Sequence, residues 1–137
     1  MNFKTGPFLG AVALIVLAGC ETSSPSVDAA QGANLFAQNC AACHGQDARG
    51  AGPETLRIGK TPPDLTGLSR SSGGVFPRDR VLDTIDGFNR KNHPQSVMPE
   101  FGAGDLGPTV IVGDDANATP IPADLLALAT YLESIQQ

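Results

Sequence analysis

The chain has 137 residues, with 16 Gly, 11 Pro, six Phe, one Tyr and no Trp, and a formal net charge of −5. That length holds one domain, and so few large side chains leave an interior short of apolar volume, which a buried cofactor would supply. The acidic balance, which loss of Lys4 with an export segment would take from −5 to −6, argues against a nucleic-acid partner.

Met1 to Lys4 form a short basic n-region, and Phe8 to Ala18 is an apolar run of the length of a signal-peptide h-region. A bilayer span needs roughly 20 apolar residues, so this run is too short to be one. It ends in Leu17, Ala18, Gly19 and Cys20, which resembles the bacterial lipobox. The resemblance implies cleavage before Cys20, diacylation of its thiol and a lipid anchor on the periplasmic side of a membrane; the alternative is an ordinary secretory signal whose cleavage site contains a cysteine. Glu21 differs from the Asp that lipoprotein rules link to inner-membrane retention, and which membrane is used stays open. Glu21 to Ala30 has little to bury and reads as a tether. The expected division is a signal peptide at 1–19, the lipidated Cys20 and tether at 20–28, and one domain at 29–137.

Ala29 to Asn39 contains no Pro and places Ala33, Phe36 and Ala37 on one helical stripe, with Asp28 as N-cap. Gly32, four residues before Phe36, shares its face and would admit a second helix closely. Next come Cys40, Ala41, Ala42, Cys43 and His44. The spacing C-x-x-C-H reads as a haem attachment site: two thiols on one side of a turn can form thioethers, and the following imidazole can bind iron. A thioredoxin-like pair would want a strand before it and a helix after it, yet a helical pattern precedes and Gly45, Gly50 and Gly52 follow. A zinc site would need four ligands, and apart from Cys20 the chain has only Cys40, Cys43, His44 and His93. A disulfide leaves His44 unexplained.

Pro77 to Gly87 predicts a helix with Val81, Leu82 and Ile85 buried and Gly87 ending it. Thr109 to Val112 and Ala118 to Ile121, around a polar turn, predict a small hairpin. Ala123 to Ile135 predicts the last helix, with Leu125, Leu128, Ala129, Leu132 and Ile135 on one face.

These features resemble class I cytochromes c, in which the first and last helices cross at a glycine notch. The resemblance covers residues 29–56 and 77–101 well, 122–135 moderately, and the segments between them poorly. It implies a mostly α class I cytochrome c fold, three to four short helices around one covalent haem c, loop-rich, with the hairpin before the last helix. The run Ser96 to Gly102 looks like the methionine loop of that family, so Met98 would be the second axial ligand opposite His44, with Pro99 holding it out of helix. His93 is the competing ligand, and the bland reading of Met98 is core filling. Gly50 to Leu56 resembles the segment whose proline carbonyl hydrogen-bonds the proximal imidazole, a role that would fall to Pro53. Thr61 to Leu68 reads as extended loop.

The family likeness implies an electron carrier rather than an enzyme, and no acid–base pair or nucleophile triad is readable. A haem sensor with a displaceable sixth ligand and an electron-entry subunit of a larger oxidoreductase are the alternatives. Partners would be redox proteins: Arg70, Arg78, Arg80, Arg90 and Lys91 outnumber Asp79, Asp83 and Asp86 over 70–91, and Arg78, Arg80, Arg90 and Lys91 could steer an acidic partner.

Overall fold

The computed structural model describes residues 26–87, 97–114 and 116–137; Cys20, Arg90, Lys91 and His93 lie outside them. In chain order the elements are α1 (Ala29–Asn39), α2 (Ala41–His44), α3 (Thr55–Ile58), α4 (Leu68–Ser71), α5 (Arg78–Asp86), the strands β1 (Thr109–Val112) and β2 (Thr119–Pro122), and α6 (Ala123–Ser134). The fold is mostly helical with one antiparallel two-stranded sheet, as the cytochrome likeness implied. There are more helices than the three or four expected because α3 and α4 are single turns, too short to print a period in the sequence. Leu65–Gly67, within the segment expected as extended loop, is a 3-10 turn.

Helix α1 starts where Asp28 can cap it. The Asp28 carboxylate accepts from the Gln31 N–H at 2.8 Å, satisfying a donor that the first turn leaves without an intrahelical partner. That bond, helped by the Ser26 hydroxyl, holds the carboxyl below its ordinary pKa.

The core is built on the crossing of α1 and α6. At Gly32 a Cβ would lie 2.0 Å from the Ala127 carbonyl oxygen and 2.6 Å from the Tyr131 Cβ, so the two backbones approach to a distance that only glycine permits. Phe36, 2 % exposed, then packs its ring on Tyr131 with centroids 5.3 Å apart. This close approach fixes the rotation of α1 and corrects the expected stripe: Gly32 and Phe36 face inward, Ala33 is half-buried, Ala37 is exposed, and Leu35 joins the core edge.

Helix α6 has neighbours on more than one side, packing against α1, α5 and β2. Leu125, Leu128, Ala129 and Leu132 are buried as the periodicity predicts, Ile135 is half-buried, and Leu126 and Ala127 are buried as well. Helix α5 contributes Val81, Leu82 and Ile85 and is tied to α6 by an Arg78–Glu133 ion pair. Its C-cap is Gly87 at φ 83°, the left-handed conformation that glycine takes without a Cβ penalty.

The hairpin has a structural task. No side chain caps α6; instead the Ala123 N–H donates to the Pro108 carbonyl at 2.9 Å and the Asp124 N–H to the Leu106 carbonyl at 3.3 Å. The chain entering β1 therefore satisfies the first donors of the last helix.

Candidate haem site

The motif Cys40 to His44 follows α1 directly. The Cys40 N–H closes α1 on the Phe36 carbonyl at 2.9 Å, and the His44 N–H bonds the Cys40 carbonyl at 2.9 Å, so both thiols and the imidazole sit on one short helical turn. A single turn has more unpaired carbonyls than it can satisfy itself. The loop behind it supplies the donors: Gly45 N–H to Ala41, Gly52 N–H to Cys43, Glu54 N–H to Ala42 and Gly50 N–H to His44, all between 2.7 and 3.1 Å. Segment 45–54 thus wraps the motif and fixes the His44 backbone.

The His44 side chain is buried. Its Nδ1 has no hydrogen-bond partner among the described residues, and the Pro63 backbone acts on the imidazole by raising its pKa against the larger effect of burial. Pro53, for which that role was expected, is exposed and lies in the loop that braces the backbone of α2. Pro63 is brought in by a contact distant in sequence, the Leu65 N–H to the Ala48 carbonyl at 2.8 Å. The chain bends there because Asp64 accepts from the Thr66 N–H at 2.8 Å and from its hydroxyl at 2.6 Å. Asp two residues before Thr is the turn signal in the sequence that could have found it.

The chemistry of these residues suits a covalent haem. Burial pushes the Cys40 thiol up to about 11, with the neighbouring Cys43 adding to it; a thioether has no ionisable proton and is at ease in that apolar setting. Burial holds the His44 imidazole below its ordinary pKa, against a smaller opposing effect of Pro63, and so favours the neutral form that ligates iron. Among the described residues no group of three or more His, Cys, Asp and Glu could hold a metal ion, so the zinc alternative gains no support from them.

Met98 is half-buried against the core that contains Val81, Leu82 and Ile85, and Cys40, Leu65, Leu68, Phe76 and Phe101 also pack against that core. The segment that carries it is held at the C-terminal end of α5. A Cβ on Gly102 would lie 1.9 Å from Asp86 Oδ1 and 2.5 Å from the Asp86 carbonyl oxygen, and one on Gly87 would lie 2.5 Å from the Glu100 Cγ. Of the expected docking residues, Arg78 is paired with Glu133, and Arg80 donates to the Ser72 hydroxyl at 2.7 Å.

A buried imidazole and two thiols on one turn, set in a mostly helical domain with an apolar shell, define a c-type cytochrome domain with one covalently bound haem c, an electron-transfer protein. Residues 27–113 match the family described as cytochrome c oxidase, cbb3-type, subunit III, and the chain belongs to that family. It is 42% identical over 63 residues to the cbb3-type cytochrome c oxidase subunit CcoP of Rubrivivax gelatinosus, a match covering 46% of this chain and 17% of that subunit. It is 48% identical over 33 residues to cytochrome c-550 of Virgibacillus halodenitrificans, covering 24% of this chain and 94% of that sequence. No solved structure matches.

Proposed function

We propose that the protein is an exported electron carrier whose iron is held between His44 and Met98 and which is tethered to a membrane on the periplasmic side by lipid on Cys20. The observation that supports the axial pair is Met98, half-buried against the same apolar cluster as Cys40. When bound, the haem supplies an iron that takes up and gives back one electron. Around it Cys40 and Cys43 fix the porphyrin edge, His44 and Met98 hold the iron, Pro63 orients the imidazole, and the apolar shell keeps water away. Methionine sulfur favours ferrous iron and sets the carrier on the high-potential side.

The tether rests on the sequence of residues 1–28, with the domain starting at the Asp28 cap. No helix of the described residues is long and apolar enough to cross a membrane, and attachment is assigned to the Cys20 lipid. The test is the absorption spectrum of protein extracted from membranes, ferric and ferrous, with and without carbon monoxide, beside a Cys20→Ala form. A low-spin haem with the ferric methionine charge-transfer band, indifferent to carbon monoxide, and release of Cys20→Ala into the soluble fraction are expected. Ready carbon monoxide binding would mean an open iron and a sensor.

The glycine at position 102 gives a milder probe. In Gly102→Ala the new methyl meets the backbone carbonyl at the end of α5, which cannot swing away, so the loop must move. We expect the charge-transfer band to weaken while far-ultraviolet circular dichroism stays at the wild-type level.

Arg80, Arg90 and Lys91 are proposed on their charge to steer an acidic redox partner, with Arg78 partly neutralised by Glu133. Neutralising all four cations should slow electron transfer at low salt roughly tenfold, with the difference fading above about 0.3 M as charges are screened. An unchanged low-salt rate would rule out this steering.

The family match and the likeness to CcoP favour a second reading, in which the domain is the electron-entry subunit of a larger oxidoreductase. Its mark would be a stoichiometric partner that copurifies.

A further inference from the structure

The β1–β2 hairpin has two outer edges, and they differ. The Ala123 N–H bonds the Pro108 carbonyl and the Asn117 N–H bonds the Asp114 carbonyl, each at 2.9 Å. Both are directly opposed pairs in the register that sets Thr109 against Pro122 and Val112 against Thr119. Antiparallel ladders alternate between hydrogen-bonded and non-bonded pairs. Val110–Ile121 and Val112–Thr119 are therefore the bonded pairs, while Thr109, Ile111, Pro120 and Pro122 turn their backbone nitrogens outward.

On β2 both outward nitrogens belong to proline and carry no hydrogen, which closes that edge to further pairing. On β1 the outward N–H groups of Thr109 and Ile111 have no partner among the described residues. The Ile111 side chain beside them is 63% exposed. One edge is shut by two prolines and the other is left open, uncharged and β-branched.

We propose that the open edge of β1 receives an extended segment of a redox partner as a third strand, and that this segment carries Lys or Arg at its ends. The charge around the edge selects the occupant. Asp105 and Asp114 flank β1, and from Phe101 to the last residue the sequence has Asp105, Asp114, Asp115, Asp124 and Glu133 but no Lys or Arg. A second copy of this chain is the wrong partner. Pairing two β1 edges antiparallel brings Asp114 of each copy to the Asp105 end of the other, and pairing them parallel sets each Asp beside its own counterpart. Four residues of strand make a small contact, which suits the brief encounters of electron transfer, typically below about 1,200 Å². Main-chain bonds supply the attachment and the flanking charges the selection.

The test uses the 15N-labelled reduced holoprotein and two synthetic octapeptides of sequence X-X-Thr-Val-Thr-Val-X-X, with X either Lys or Glu. The Lys peptide should shift the amide resonances of Thr109 to Val112, with an affinity at least tenfold above that of the Glu peptide. In Ile111→Pro the outward N–H is removed as it already is at Pro120 opposite, and the shifts should vanish with the hairpin retained. Ile111→Lys leaves the backbone donors in place but sets a like charge beside the Lys peptide, and should weaken binding severalfold. Absence of shifts with the Lys peptide, equal binding of both peptides, undiminished binding by a folded Ile111→Pro, or self-association through β1 would each overturn the proposal.

Discussion

Met98→Ala is expected to lose the ferric methionine charge-transfer band and to bind carbon monoxide in the ferrous state, where the wild type does not. The reasoning starts from the sequence: Met98 is the one methionine left if residues 1–19 are removed, and Pro99 biases it away from helix. The structure then sets it half-buried on the cluster shared with Cys40. Alanine has no atom that can bind iron, so one axial position opens to small molecules. The reduction potential should fall by a sizeable part of the roughly 0.8 V that axial ligands command, because the thioether that favoured ferrous iron is gone. If the wild type lacks the band and the variant stays indifferent to carbon monoxide, Met98 is not the ligand and His93 becomes the next residue to replace.

The second large effect is on stability. Gly32→Ala should raise the intrinsic helix propensity of α1 by about 1 kcal/mol, and a reading of the helix alone would have it stabilise the protein. Packing reverses the sign. The added methyl would sit 2.0 Å from the Ala127 carbonyl oxygen, which is backbone in the middle of α6 and cannot rotate out of the way. The helices must separate, and the Phe36–Tyr131 contact with them. Overpacking of this kind costs about 3 kcal/mol, and the net loss of about 2 kcal/mol after the propensity gain lowers the melting temperature of a domain near 100 residues by roughly 8 to 16 °C. A calorimetric melting temperature at or above the wild-type value would show that the crossing is looser than the structure describes.

Where local chemistry decides, the sequence was a sound guide. The Asp28 cap, the motif turn, the buried face of α5 and the hairpin pair each follow from residues within a few positions of one another. Where distant contacts decide, it was not. Pro53 and Pro63 are both prolines after the motif, and only the Asp64–Thr66 turn signal beside Pro63 tells them apart in the sequence. What carries Pro63 back toward the motif is the Leu65–Ala48 bond, a contact distant in sequence, together with the Asp64 turn. Likewise Ala37 falls on the apolar stripe of α1 by period, yet is exposed because Gly32 sets the rotation. Leu126 and Ala127 are buried because α6 has neighbours on more than one side, which a single-face pattern does not encode.

The crossing of α1 and α6 also sets how the molecule comes apart. The helix that leads into the thiols finds its main partner in the last helix, so this contact joins the two ends of the domain and requires a long loop to close. Among the described residues the buried cluster draws on both ends of the domain, from Phe36 to Leu132. Fraying of α6 would strip the support from α1, and the two ends of the chain should open in one cooperative unit, with little room for a stable partly folded form.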